Sequence, residues 1–243
     1  MNPIELTYDE KLNLKLDLWL PEAGNPPIFI YMHGGGIENG DKRTMVDNIK
    51  RMVSKGIAVA SLNYRMYPTA KYPEFIDDCA KGIDFLLHGE YQFSRVFVGG
   101  SSAGSYLSMM LLFDHKYLGR YGLNPLDFDG WVLDAGQPTV HFNVLRERGL
   151  DTRLVRIDEA APLWHITKNF NELKPDGKLP MILNISASND MTCRLEQLKL
   201  LNATLLHFNY PKDRLRFAYM NGYNHCGYTD QPIFAEMVES IIL

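Results

Sequence analysis

The chain is poor in cysteine, has no basic cluster and has no long apolar run. Its three cysteines, Cys79, Cys193 and Cys226, are odd in number and widely spaced. They offer neither a disulfide framework nor metal-ligand spacing, and read as free thiols of a reducing compartment. The net charge is −4, and no basic patch with interleaved aromatics occurs, so nucleic acid and anionic membrane are excluded as partners. No apolar run approaches membrane-spanning length. The first residues, Met1-Asn2-Pro3-Ile4-Glu5, carry no basic region followed by an apolar core, so no signal peptide is visible and a cytoplasmic location is expected. Neither G-x-x-x-x-G-K-[ST] nor G-x-G-x-x-G is present, so no phosphate cradle or dinucleotide cofactor is expected. Internal repeats and low-complexity segments are also missing.

What is present is an ordinary globular composition of 243 residues, 46% hydrophobic and 22% charged, which suits one large domain over residues 1–243. Strand-like and helix-like segments alternate. Residues 12–18 alternate apolar and polar, as in a half-exposed antiparallel strand. Residues 28–32, 57–62, 94–99, 130–134, 181–185 and 215–219 read as further strands, most of them buried. Residues 41–55, 75–87, 103–113 and 233–242 read as helices. This rhythm predicts an α/β fold, a mostly parallel twisted sheet with helices on both faces. One interval breaks it. Residues 137–178 contain Pro138, Pro162, Pro175, Trp164 and many charges, and are expected to form a small lid or pocket wall over the sheet's C-terminal edge.

The motif richest in chemistry is Gly100-Ser101-Ser102-Ala103-Gly104, a G-x-S-x-G elbow centred on Ser102. A serine that attacks must stand clear of the backbone at the top of a strand, on a turn so tight that its flanks need glycine. The strand before it and the helix after it fit that geometry, and the helix N-terminus faces developing negative charge. Centring the motif on Ser101 would put Ala103, with its Cβ, at a glycine position. A second glycine-rich loop, His33-Gly34-Gly35-Gly36, follows the strand at 28–32. Its bare N–H groups suit a tetrahedral oxyanion, where loss of one donor typically costs roughly 3 to 4 kcal/mol of transition-state stabilisation.

A serine hydroxyl needs a base, and the base needs an orienting carboxylate. Of seven histidines, His33 belongs to the glycine loop and ties it down. His88, His115 and His207 lie in polar stretches and read as surface residues. His141 and His165 fall in the 137–178 interval. His225 stands in a turn-rich loop between the last strand and the last helix, at the same sheet edge as the elbow, and is the candidate base. Asp190, just after the strand at 181–185, is the candidate acid. Asp134, at the end of another strand, is its rival, and loop length favours Asp190. Asp77 and Asp78 read as helix-opening acids that favour the dipole.

Together these residues resemble the esterase branch of the α/β-hydrolase superfamily, near the hormone-sensitive-lipase-like and small acetyl-esterase families. The resemblance covers nearly the whole chain. Asp17-Leu18-Trp19-Leu20-Pro21 is similar to an early strand of that family, and Asn63-Tyr64-Arg65-Met66-Tyr67-Pro68 with Tyr72-Pro73 to structural signatures. Asp158-Glu159-Ala160-Ala161-Pro162-Leu163 resembles the segment before the acid strand. The resemblance implies Ser102 as nucleophile, Asp190 as acid, His225 as base, and the N–H groups of Gly35, Gly36 and Ala103 as oxyanion donors. It implies a serine carboxylesterase for short, acetyl-type acyl esters with no cofactor or metal, and a small-molecule ester as partner, acetylated carbohydrate among the candidates. Ser105 and Cys226 depart from the pattern, standing where glycine is usual. Few residues precede His33, so the helical cap of the lipase-like members is largely missing, which favours an open cleft. Two other readings stay open. An arylformamidase-like amidase is one, although its H-G-G-x-W loop has Ile37 here in place of tryptophan. The other is a non-catalytic ligand-binding protein on the same fold.

Overall fold

The computed structural model describes residues 2–22 and 24–243. In chain order the elements are β1 (Ile4–Asp9), β2 (Leu14–Trp19), β3 (Ile28–Met32), α1 (Val46–Ser54), β4 (Ala58–Leu62), α2 (Glu74–Leu87), β5 (Val96–Ser101), α3 (Ala103–Phe113), α4 (Lys116–Gly119), β6 (Gly130–Asp134), α5 (Phe142–Glu147), α6 (Phe170–Leu173), β7 (Met181–Asn189), α7 (Arg194–His207), β8 (Leu215–Asn224) and α8 (Pro232–Ile242). The strands form one sheet in the order β1-β2-β4-β3-β5-β6-β7-β8. β1 with β2 and β2 with β4 are antiparallel, and every other pair is parallel. The expected α/β architecture is therefore observed. Among the described residues, no helix is long and apolar enough to cross a membrane.

The register sets where a site can form. Met32 pairs with Gly100, and Ser101 with Asp134. β3, β5 and β6 thus end level, and the loops that follow them meet at one edge, outside the carboxyl ends of the parallel strands, where open α/β sheets bind ligands. The core lies on both faces of the sheet. One side is built with α1 and α8 around Tyr31, Ile49, Phe97 and Phe234, and the other with α2, α3 and α7 around Trp131, Tyr106, Phe75 and Leu201. Helix α3 is buried over its whole length, not along one stripe as its spacing suggested. The 137–178 interval accounts for this. It packs on the outer face of α3, and Tyr106 donates to the Ala160 carbonyl at 2.8 Å.

Three differences from the sequence reading have polar causes. β2 is mostly buried, not half exposed, because Asp17 is drawn inward by Lys42, with Nζ 2.5 Å from its Oδ1. Helix α1 begins only at Val46. Residues 41–45 are held in turns, with Asp41 accepting from the Arg43 N–H and the Lys42 N–H donating to Asn63. Asp78 does not serve the α2 dipole. It takes two side-chain hydrogen bonds from Arg65, each 2.8 Å, and a third from the Arg65 backbone N–H. β1 and α7 were not anticipated, and β8 runs to Asn224.

The Arg65 and Asp78 pair pins the loop after β4 to α2. Asp78 is 4% exposed, so removing it strands a partly covered guanidinium, a change that typically costs about 3 kcal/mol. Asp78→Ala is expected to lower the melting temperature by roughly 6 to 12 °C, read by circular dichroism. Glu74 also contacts Arg65 but is exposed, and Glu74→Ala is expected to cost less than about 1 kcal/mol in the same measurement.

Candidate functional site

Ser102 sits between the end of β5 and the start of α3 with φ 54° and ψ −113°. A non-glycine residue at positive φ stores roughly 1 to 3 kcal/mol of strain, which surrounding contacts must hold. They are visible. The Ser102 N–H donates to the Asp134 carbonyl at 2.8 Å, and its own carbonyl accepts from the Tyr106 N–H at 3.1 Å. Gly104 explains the motif's second glycine. A Cβ there would lie 1.9 Å from the Met32 carbonyl oxygen, so only glycine lets α3 begin against the end of β3.

Three of the sequence candidates come together in one hydrogen-bonded line. His225 Nε2 is 2.8 Å from Ser102 Oγ, and His225 Nδ1 is 2.6 Å from Asp190 Oδ1. The Asp190 side chain is buried and also accepts from the Met191 N–H at 2.7 Å. The carboxylate fixes the tautomer: Nδ1–H donates to Asp190, which leaves Nε2 to accept from the serine hydroxyl.

The glycine loop is locked through its carbonyls. Gly35 O accepts from the N–H groups of Glu38 and Asn39, Gly36 O from Asn143 Nδ2 at 2.8 Å, and Ile37 O from the Tyr67 N–H. Gly35 has φ 109°, and a Cβ there would stand 1.9 Å from the Asn39 carbonyl oxygen. Among the described residues, the N–H groups of Gly35, Gly36 and Ala103 donate to no protein acceptor. Unused donors at a fixed turn and at a helix N-terminus are groups suited to an anion.

His33 lies beneath this loop, buried and stacked on Tyr64 with ring centroids 4.5 Å apart. The Tyr64 hydroxyl donates to the His33 carbonyl at 2.8 Å, and burial depresses the imidazole's pKa. It is a neutral prop of the loop, as its position in the sequence suggested. His141 is buried and caps α5, accepting from the Asn143 N–H at 3.2 Å. His165 contacts the Glu159 carbonyl at 2.9 Å. His88 and His207 are exposed, and His115 is half-buried.

Asp134, the rival acid, does not reach the imidazole as a hydrogen-bond partner. It is fully buried and accepts from the Tyr228 hydroxyl at 2.5 Å and from Thr229 Oγ1 at 3.4 Å. It therefore holds the loop that carries His225, while its carbonyl holds Ser102. Burial pushes its pKa up to about 6.

The elbow, the glycine loop, Phe142, Met191 and His225 line a cleft of about 550 Å³. A second chamber of about 470 Å³ shares Phe142 and Met191 with it and extends to Leu154, Val155 and Arg194. Arg194 carried no signal in the sequence, because the helix it opens was itself not recognised there.

The chain resembles known proteins in part of its sequence and in its fold. The BD-FAE family model matches residues 16–119. The chain is similar to an isoprenylcysteine alpha-carbonyl methylesterase of Arabidopsis thaliana, 26% identical over 115 residues, which cover 45% of this chain and 27% of that protein. It is similar to a kynurenine formamidase of Danio rerio, 26% identical over 111 residues, covering 45% of this chain and 38% of that one. The matched region thus spans less than two-fifths of either relative. The apo form of Thermogutta terrifontis esterase 2 superposes with a TM-score of 0.78 at 15% identity, over 98% of this chain and 92% of the other. That likeness shows the fold, the α/β-hydrolase fold.

The shifted carboxyl of Asp134 gives a signed pH effect. Its folded pKa, about 6, lies above the ordinary 3.8, so between those values the native state holds a proton that the unfolded chain releases. This residue's contribution to stability falls as pH rises across that window and is level above it. Asp134→Asn removes the titration while keeping an oxygen for Tyr228. The melting temperature of the variant minus that of the wild type is expected to rise from pH 4 to 6 and then plateau at several degrees, by calorimetry.

Proposed function

We propose that this chain, an α/β-hydrolase by its fold, is a serine ester hydrolase acting through Ser102, His225 and Asp190. The observation that carries the reading is the unbroken line from Asp190 Oδ1 through the imidazole to Ser102 Oγ, at 2.6 and 2.8 Å, on a strained elbow. His225 Nε2 takes the hydroxyl proton as Ser102 Oγ attacks the acyl carbonyl carbon. The carbonyl oxygen becomes an oxyanion and receives the N–H groups of Gly35, Gly36 and Ala103. The imidazolium, steadied by Asp190, gives its proton to the leaving alcohol. Water then attacks the acyl-enzyme with His225 again as base, which releases the acid and restores Ser102. The first proton moves from Ser102 Oγ to His225 Nε2, which lie 2.8 Å apart, and no metal or cofactor enters the sequence.

The acyl group is proposed to be short. The glycine loop, Phe142 and Met191 bound the cleft directly above Ser102. Residues 137–178 are proposed as its wall, since Phe142 and Asn143 of α5 touch the cleft and the loop. The formamidase relative keeps amide hydrolysis as a second reading. Comparing phenyl acetate with formanilide would separate the two, faster turnover of formanilide favouring the amidase.

Ser102→Ala is expected to reduce hydrolysis of p-nitrophenyl acetate by four orders of magnitude or more, with the fold intact by circular dichroism. Asp190→Asn is expected to lose about 10⁴ in kcat, because the imidazole would adopt the wrong tautomer. Asp134→Asn should stay within about tenfold of wild type, as its carboxyl does not touch the imidazole. Equal rates for wild type and Ser102→Ala would refute the assignment. So would failure of an organophosphonate to label Ser102, the outcome expected of a non-catalytic binder.

A further inference from the structure

Arg194 is the first residue of α7 and is 5% exposed, yet among the described residues no carboxylate forms an ion pair with it. Its guanidinium donates only to neutral acceptors, the Ala135 carbonyl at 3.3 Å and Gln137 Oε1 at 3.2 Å, with Met191 Sδ at 3.9 Å. Burial draws its pKa below the usual guanidinium range, and the nearby charge of Asp190 only partly offsets this. Asp190 Oδ1 takes the bonds from His225 and the Met191 N–H, and its buried Oδ2 takes none from Arg194. A buried charge without a counter-charge is costly, and buried charges in folded proteins are as a rule paired.

The surroundings specify that partner. Arg194 lines the chamber that meets the Ser102 cleft at Phe142 and Met191. No acidic side chain lines this chamber, in a chain whose net charge is −4. The other cation on its wall, Arg153, is exposed and already paired with Asp151 at 2.6 Å. Gln137 Nε2 donates to the Val140 carbonyl, and Gln197 Oε1 accepts from Thr139 Oγ1. The amino end of α7 opens beside Arg194, and its N-cap Cys193 supplies no side-chain cap, so the helix dipole adds to the same positive field. The remaining walls, Leu154, Val155, Phe142 and Met191, are apolar.

We propose that this chamber is a subsite for the carboxylate of an ester that bears one, with Arg194 as its counter-charge. The preferred substrate is then an ester of low molecular weight in which a short apolar stem separates the scissile bond from a free carboxylate. This rests on the reading of Ser102 as nucleophile, since the chamber acquires its meaning from the cleft it joins.

The test compares acids with their methyl esters. One pair, 4-nitrophenyl hydrogen glutarate and methyl 4-nitrophenyl glutarate, puts the carboxylate on the acyl side. The other, 4-acetoxybenzoate and methyl 4-acetoxybenzoate, puts it on the alcohol side. For one pair, wild type is expected to favour the acid in kcat/KM by about tenfold to a hundredfold, the range for one charge-assisted contact in a buried site. Arg194→Gln should collapse that ratio to near unity, and Arg194→Lys should restore part of it. A separate readout needs no turnover: glutarate or benzoate should raise the melting temperature of Ser102→Ala protein and leave that of the Ser102→Ala, Arg194→Gln double variant unmoved. If Arg194→Gln does not fold, the wild-type acid-to-ester ratio and the Arg194→Lys ratio decide. No preference for either acid, or a preference that survives Arg194→Gln, overturns the proposal. Loss of all ester hydrolysis with the anion-dependent melting shift retained would instead refute the esterase reading alone.

Discussion

The site depends on one steric fact, the approach of the α3 backbone at Gly104 to the end of β3. A methyl group at Gly104 would overlap the Met32 carbonyl, at 1.9 Å. Without it, the elbow and the His33–Gly36 loop lie against each other. That contact brings the glycine loop and the elbow to one cleft, lined by Gly34, Gly35, Gly36 and Ser102. A shift of about 1 Å in such an arrangement can cost a hundredfold in rate. The rest of the local structure reads as support for that distance. Tyr64 stacks on His33 below the loop, and Asn143 holds Gly36 from the side.

Two aspartates at neighbouring strand ends show how environment divides roles between identical groups. Asp134 ends β6, is enclosed, and meets only hydroxyl donors. Its carboxyl is pushed toward neutrality, and its work is to join the Ser102 backbone to the loop that holds His225. Asp190 follows β7 and meets an imidazole N–H and a backbone N–H. One is a brace and the other holds an imidazole. The brace ties the two sides together, because the Ser102 N–H and the loop that carries His225 both bond to Asp134.

The parts legible in the sequence are those governed by local sterics. Glycines around Ser102, a glycine run after β3 and a histidine in a turn-rich loop each follow from what the backbone can do within a few residues. Helix α3 was read to its exact ends for the same reason. What was hidden depends on distant partners. The late start of α1 comes from Asn63 and Asp17 reaching Lys42, and the burial of β2 from that same pair. The role of Asp78 needs Arg65, thirteen residues earlier and on another element. Helix α7 was missed because its leucines, at 195, 198, 200, 201, 205 and 206, surround the helix without favouring a face. With α7 went Arg194.

Charge near Ser102 is divided along one connection. The connection from β7 to α7 carries a negative group at Asp190 and a positive one at Arg194, four positions apart. The first turns toward His225, and the second lines the adjoining chamber. Met191, between them in sequence, lines both spaces. Among the described residues, the nearby charge of Asp190 acts on Arg194 but is already engaged by the imidazole. A carboxylate in the chamber would satisfy the arginine directly and relieve that claim on Asp190. Occupancy of the chamber and the charge balance of the Asp190–His225 pair are therefore linked through one short connection. An ester carrying its own carboxylate would, on binding, complete the electrostatics of the residues proposed to cleave it.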